Sequence, residues 1–409
     1  MVERMDALIT PSNWQKVRLG DIGITISGLA GKTKQDFING NAKYITFLNV
    51  LNNVIIDTSI LENVKIYPNE KQNSFKKYDL FFNTSSETPK EVGMCAVLLD
   101  DIDQVFLNSF CFGFRIFDKA VDSLFLSYLI NSEIGRKAFE NLAQGSTRYN
   151  LSKSGFNNVC LILPPLNEQI AIANILSDVD HYLYSLDALI LKKESVKKAL
   201  SFELLSQRKR LKGFNQNWQR VRLGDICEIG NGGAYETLIV ENGDFKLISL
   251  NSIDIDGNLK NTMKRVNFYD NSLKQDDIVM VLSDVAHGDF LGLCAVIPNN
   301  DYVLNQRMGR LRKKNDCINI LFLRLYINAN QKYFKMQGQG SSQLNLSKKA
   351  IEDFEILLPP LNEQIAIANI LSALDNEITS LKNKKRQFEN IKKALNHDLM
   401  SAKIRVLNK

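Results

Sequence analysis

The sequence predicts an α+β protein built as an internal repeat. Two tandem α+β domains are each followed by a long helix, and the two helices pair as an antiparallel coiled coil about a pseudo-two-fold axis. Three observations predict this. The fifteen residues LPPLNEQIAIANILS stand at 163–177 and again, unchanged, at 358–372. The segment NWQKVRLGDI at 13–22 returns as NWQRVRLGDI at 217–226, and the pair holds the chain's 2 tryptophans. After each fifteen-residue copy, apolar residues recur at alternating steps of three and four. A repeat of this size constrains fold, symmetry and partner together.

Weaker matches fill the space between. Tyr44–Asn49 is similar to Lys246–Asn251, and Gly93–Val97 to Gly292–Val296. Gln144–Lys153 returns as Gln339–Lys348. Each half thus has a divergent body and a fixed tail, which suggests two different ligands presented on one scaffold. The expected boundaries are 1–162 for the first body, 163–212 for the first helical segment, 213–357 for the second body and 358–409 for the second helical segment.

Within the first body, Ile45–Leu48, Val54–Ile56, Leu80–Phe82, Ala96–Leu99 and Phe112–Phe117 read as short strands. From Asp122 to Gln144, Leu124, Leu126, Leu129, Ile130, Ile134, Ala138 and Leu142 follow a 3.6-residue period and predict a helix. The second body predicts strands at Lys246–Leu250, Ile278–Leu282 and Cys294–Ile297, then a helix over Ile318–Met336. Pro164-Pro165 and Pro359-Pro360 stop the preceding strands, and Asn167 and Asn362 can cap the helices after them. Leu176, Val179, Leu183, Leu186 and Ile190 form an a/d seam, repeated as Leu371, Leu374, Ile378, Leu381, Lys385 and Phe388. Each helix runs some 40 residues, about 60 Å at 1.5 Å per residue. Their apolar stripes need a partner, and each is the obvious partner of the other. Basic residues at 192–193, 197–198 and 207–212, and at 382, 384–386 and 392–393, read as a solvated face, or else as a phosphate-facing rail or docking surface.

Composition bounds the function classes. Of 409 residues, 44% are hydrophobic and 23% charged, as in an ordinary globular protein. No apolar run approaches the roughly 20 residues of a membrane span, and the N-terminus does not read as a secretory signal, so a cytoplasmic location is expected. The 6 cysteines are scattered, with no CxxC pair, and read as reduced thiols. A net charge of +6 permits nucleic-acid binding without showing it.

No catalytic constellation emerges. The 3 histidines are dispersed, and HExxH, a P-loop, GxGxxG and metal-spaced Cys/His clusters are missing from the sequence. What remains is a binder with two heads. Its candidate contact residues lie in polar loops that suit phosphate and base-edge contacts. They are Asn83, Thr84, Ser85, Ser86 and Lys90, with Ser283 and His287 as counterparts. Ser146, Thr147, Arg148 and Asn150 are matched by Ser341, Ser342, Gln343 and Asn345. Arg307, with Arg310 and Arg312, adds a basic polar strand.

The doubled LPPLNEQ tail, the preceding Gly–Ser–x–(Gln/Arg)–x–Asn–Leu–Ser loop and the Trp-x-x-Val-Arg-Leu-Gly-Asp-Ile opening, in this order and twice over, resemble the DNA-specificity subunits of type I restriction–modification systems. The likeness covers nearly the whole chain. Arg148 departs from it, standing where family members usually have Gln, as at Gln343. The resemblance implies target-recognition domains that each read one half of a bipartite asymmetric duplex, spaced by the coiled coil. It implies two methyltransferase subunits docked on the helical segments, with Asn167, Glu168, Gln169, Asn362, Glu363 and Gln364 as the docking candidates. Those subunits would carry S-adenosylmethionine and methylate adenine N6. Two restriction subunits would add ATP- and Mg-dependent cleavage. The chain itself would be non-catalytic and bind no cofactor. The alternative is a two-headed, non-enzymatic adaptor for protein or RNA. A self-contained modification enzyme would need a cofactor domain for which the repeat leaves no room.

Overall fold

The computed structural model describes residues 11–406 apart from 141, 143, 146, 147, 286 and 287. The chain divides into two compact units, Met1–Asp187 with Asn383–Lys409, and Ala188–Lys382. Each unit therefore holds one body together with one half of each long helix.

In the first unit an antiparallel sheet runs in the order Gly23–Ser27, Cys111–Ile116, Leu80–Asn83, Cys95–Val97. A smaller sheet places Ala42–Ile45 between Glu62–Val64, antiparallel, and Val105–Leu107, parallel. The strand Leu80–Asn83 is buried throughout, because both of its faces are covered. Leu80 and Phe82 enter the core beneath the helices, with Phe112, Phe114, Phe125 and Phe156. Phe81 points to the other side, with Ile45, Phe75 and Leu107. A strand covered on both faces reads as a continuous apolar run.

The second unit repeats this plan. Its four-stranded sheet has the order Cys227–Asn231, Met308–Lys313, Ile278–Val281, Cys294–Val296, and its small sheet joins Arg265–Val266, Phe245–Ile248 and Tyr302–Leu304. Ile278 and Met280 face one core cluster, Val279 and Val281 another. Each unit's edge-strand cysteine is clamped in the same way. Asn131 gives its side-chain amide to the Cys95 carbonyl and accepts from the Cys95 N–H at 3.0 Å, as Asn328 does with Cys294 at 3.0 and 2.8 Å. Burial pushes both thiols up, and pushes Cys227 to about 12, so these are inert core cysteines.

Four expected elements differ. The helix expected over 122–144 is two, Ser123–Asn131 and Glu133–Glu140. Ser132 breaks it: its hydroxyl donates to the Leu129 carbonyl at 2.6 Å and accepts from the Gly135 N–H at 3.1 Å, ending one helix and starting the next. The helix expected over Ile318–Met336 is likewise Ile320–Ala329 and Gln331–Gln337. Thr46 ends the strand expected at Ile45–Leu48, because its hydroxyl caps a helix over Phe47–Asn52. Val54–Ile56 contributes only a lone bridge, Ile55 to Val97.

The two opening motifs explain themselves here. Gln15–Arg18 pairs antiparallel with Cys160–Leu163, placing Val17 opposite Leu161, and Gln219–Arg222 pairs with Glu355–Leu358, placing Val221 opposite Ile356. The first strand of each body is thus bonded to the last, directly before the Pro-Pro step into the long helix.

The long helices span Leu166–Leu205 and Leu361–Met400, 40 residues each. They start two residues earlier than an Asn cap would place them. The Pro165 carbonyl accepts from the N–H groups of Glu168 and Gln169, and Pro360 from those of Glu363 and Gln364. Asn167 and Asn362 therefore lie inside the first turn. In the first unit the helices run antiparallel through Asp187–Lys385 at 2.7 Å, Asp180–Lys392 at 2.5 Å and a Tyr182–Phe388 ring contact. In the second unit they do so through Lys193–Glu377 at 2.8 Å, Glu194–Lys382 at 2.7 Å and Lys197–Asp375. Leu176, Leu186, Ile190, Leu371 and Ile378 of the expected seam are buried. Lys193, Lys197, Lys382, Lys385 and Lys392 are thus cross-helix partners rather than a free phosphate rail. Each such exposed pair contributes at most about 1 kcal/mol, so their effect is on register and direction.

Candidate nucleic-acid interface

The loops nominated separately from sequence are brought together by the fold. Ser85–Ser86 pairs antiparallel with Tyr149–Asn150, setting Asn150 opposite Ser85. In the second unit Ser283–Val285 pairs with Gln343–Asn345, setting Asn345 opposite Ser283. Each body therefore carries a small two-stranded ribbon, one arm from each nominated loop. The hairpin arm closes identically in both copies. Gln144 and Asn150 exchange both backbone hydrogen bonds, at 3.1 and 2.9 Å, and Gln339 and Asn345 do so at 3.0 and 2.9 Å. Asn150 and Asn345 each donate from the side chain to the carbonyl two residues back, Arg148 and Gln343, at 3.2 Å. Ser152 and Ser347 then cap the next short helices.

Both hairpins turn on a glycine in the left-handed half of backbone space, Gly145 at φ +136 and Gly340 at φ +126. A Cβ on either would sit 2.1 Å from the carbonyl oxygen of residue 148 or 343. Gly340→Ala is therefore expected to cost about 1–3 kcal/mol through backbone strain and the clash, read as a lower denaturant midpoint. An unchanged midpoint would mean that the hairpin does not need this conformation.

The candidate residues divide into two groups. Asn83, Ser85 and Ser86 are buried. Asn83 donates to the carbonyls of Ser85 (3.2 Å) and Glu91 (2.8 Å) and accepts from the Met94 N–H (2.7 Å), and Ser86 donates to the Glu91 carboxylate at 2.7 Å. Their hydrogen-bonding capacity is used in building the turn. Thr84 is tied to Phe110, its N–H and hydroxyl both donating to that carbonyl. Ser283 donates to Asn345 at 2.5 Å. Lys90, Arg148, Asn150, Arg307, Ser341, Ser342 and Asn345 are exposed, and Gln343 is half-buried. Ser146, Thr147 and His287 lie outside the described residues.

The expected basic strand is corrected. Arg312 forks onto the buried carboxylate of Asp277 at 2.8 and 2.7 Å, and Arg310 pairs with Glu228 at 2.6 Å. The hydrogen bond to Asp277 holds the Arg312 guanidinium above its ordinary value. Arg115 and Asp79 make the same pair in the first unit, at 2.8 and 2.6 Å. Of the three arginines only Arg307 is exposed without such a fork. Beside it, Asn305 and Gln306 donate to Glu236. That carboxylate is held low, first by its own backbone N–H, with Asn305, Gln306 and Arg307 adding.

The docking candidates are corrected more sharply. Glu168 and Gln169, Glu363 and Gln364 are at most 2% exposed. Glu363 takes a bidentate pair from Arg210, at 3.1 and 2.6 Å, and the Trp218 indole N–H at 3.0 Å. Glu168 takes Arg405 at 2.6 and 2.9 Å. Gln364 accepts from the Asn319 N–H and donates to the carbonyls of Cys317 and Pro359. Gln169 does the same with Asp122, Ala120 and Pro164. The Glu-Gln pair is a clasp that locks each body to its helix, so its repetition reflects the frame. Asn167 and Asn362 alone of the six are exposed. A ring the sequence reading missed, Phe110, stands exposed beside Arg148. Among the described residues no His, Cys, Asp or Glu cluster is placed to hold a metal ion, and no helix is long and apolar enough to cross a membrane.

Comparison with known proteins places this geometry. The family model for the type I restriction modification DNA specificity domain matches residues 11–193 and again 215–390. The chain is 27% identical to the type I restriction enzyme MjaVIII specificity subunit of Methanocaldococcus jannaschii, over 99% of this chain and 96% of that protein. It is 24% identical to the StySPI specificity subunit of Salmonella potsdam, over 89% and 82%. The crystal structure of the type I restriction-modification S subunit from M. genitalium superposes with a TM-score of 0.63 at 18% identity, covering 96% of this chain and 97% of that one. The paired ribbons, the doubled clasp and both matched segments lead to one conclusion: the chain belongs to the family of type I restriction–modification DNA-specificity subunits.

Proposed function

We propose that each body reads one half of a bipartite, asymmetric duplex target, and that the paired helices set the unread spacer between the halves. One observation carries this reading. The ribbons share backbone register and hairpin geometry, yet the side chains on and beside them differ: exposed Lys90 and Arg148 in one unit, exposed Val285 and Arg307 with half-buried Gln343 in the other. A common frame with unlike tips suits two different half-sites, since phosphate contacts position a protein and base-edge contacts specify the sequence.

The same reading takes the bodies as residues 1–162 and 213–357 and the helical segments as 163–212 and 358–409. Two methyltransferase subunits dock on those segments, and two restriction subunits join them. S-adenosylmethionine, ATP and Mg belong to these partners, as does the methylation of adenine N6, and the assembly works in the cytoplasm. With Glu168 and Glu363 buried, the docking face is better sought among residues that are exposed and identical in both copies. Asn167, Ile170 and Asn174, repeated as Asn362, Ile365 and Asn369, form such a face at helical spacing. Burial requires none of them, and a partner bound twice would keep them alike.

Exchanging residues 12–160 for those of a relative with a different target tests the reading. Methylated-adenine sequencing of host DNA should show one half of the motif replaced and the other, with the spacer, retained. Alteration of both halves, or of neither, would sink the two-head reading.

A further inference from the structure

Beside the ribbon of the first unit stands a half-exposed aromatic ring. Phe110 is 53% exposed, and the Arg148 guanidinium lies over its ring, 5.5 Å from the centroid. The ring is firmly tied to the ribbon. The Phe110 carbonyl accepts from both the N–H and the hydroxyl of Thr84, at 2.9 and 2.8 Å, immediately before Ser85–Ser86. Its own N–H donates to Asn108 at 2.9 Å. Ring, ribbon and Arg148 hairpin are thus one connected piece.

The second unit has the same two backbone positions with other side chains. The Leu282 N–H donates to the Arg307 carbonyl at 3.1 Å, where Thr84 meets Phe110 in the first unit. Gln343, whose carbonyl accepts from Asn345, stands where Arg148 accepts from Asn150. The pair is Phe and Arg in one unit, Arg and Gln in the other.

We infer that Phe110 and Arg148 form a single base-reading element of the first body, the ring holding the guanidinium flat so that its donor edge takes a guanine at O6 and N7. This rests on the reading that each body takes one half-site. A guanidinium stacks through its face and donates through its edge, so both contacts are compatible. An exposed cation–π contact biases the side chain by about two- to fivefold. A bidentate arginine–guanine pair discriminates by about fivefold to a hundredfold. The Gln at the equivalent position of the second body has the complementary chemistry for adenine.

The test uses the full chain assembled with its methyltransferase subunits, once the target is mapped. Initial methylation rates are measured on synthetic duplexes carrying each single base-pair change in each half-site. Arg148→Ala should lose about fivefold to a hundredfold of discrimination at one G·C pair of the first body's half-site, leaving the second half-site intact. Phe110→Ala should lose about two- to fivefold at that same pair. Phe110→Tyr should retain it, and Phe110→Leu should not. The inference is overturned by a uniform loss across the half-site, by no loss, by a loss at an A·T pair, or by equal behaviour of Tyr and Leu. If the exchange of residues 12–160 still replaces one half-site while these variants behave so, only the role of Phe110 and Arg148 fails. If that exchange alters both halves, the two-head reading itself fails.

Discussion

Glu363→Ala is expected to destabilise the second unit by about 3 kcal/mol, more than any other clasp substitution. Glu363 is fully buried and holds three donors, two from Arg210 and one from Trp218. Removing one partner of a buried pair costs about 3–5 kcal/mol, chiefly because the other charge stays behind. Arg210 is 24% exposed and can recover some hydration, which lowers the figure. The Trp218 N–H has less recourse, and an orphaned buried donor adds about 1–3 kcal/mol, partly shared with the first loss. Glu363→Gln should cost less, since it keeps the shape and some acceptor capacity. The twin substitution Glu168→Ala should also cost less. Arg405 is 32% exposed, and the Trp14 indole N–H, buried, has no hydrogen-bond partner among the described residues, so it has nothing to lose. Equilibrium urea unfolding of the three variants checks the order. Equal losses for Glu168→Ala and Glu363→Ala would show that the Trp218 bond contributes nothing.

The clasp also shows where sequence reading succeeds and where it stops. Repeats and periodicity are local signals, so the doubled tail, the long helices and their apolar seam are legible from single residues and their spacing. The ribbon is not, because Ser85 and Asn150 meet only after the intervening strands have folded. Glu168 and Glu363 misled for a related reason. A carboxylate on an amphipathic helix is by default exposed, and nothing local marks Arg405 or Arg210 as the partner that permits burial. Arg310 and Arg312 read as free charge until Glu228 and Asp277, far away in sequence, are placed against them. Phe110 was hidden by its own pattern. It alternates with Phe112 and Phe114, which are buried, and so reads as a third core residue of that strand. The turn through Asn108, which bonds the Phe110 and Cys111 N–H groups, ends the pleat one residue earlier and leaves the ring outside.

The core under the first ribbon carries the other large expected effect. Phe156→Ala should cost about 4 kcal/mol, within the 3–5 kcal/mol of a fully buried Phe truncation. Phe156 is fully buried and meets Phe82, Phe112 and Phe114 at ring-centroid separations of 4.7, 4.9 and 5.1 Å, each near edge-on. Such pairs add to area burial, and one truncation removes several at once. The residue is placed by function as well as by packing. It lies on the short helix that Ser152 caps directly after the Gln144–Asn150 hairpin, so the cavity opens beneath the arm that carries Arg148. At about 2–4 °C per kcal/mol for a unit of this size, the first transition should fall by roughly 10 °C. Phe156→Leu should recover more than half of the stability, because a branched aliphatic refills most of the volume. A loss below about 1.5 kcal/mol for the alanine variant would mean that the aromatic cluster collapses around the gap, and that the hairpin is held by its own backbone bonds and the Ser152 cap rather than by the core below it.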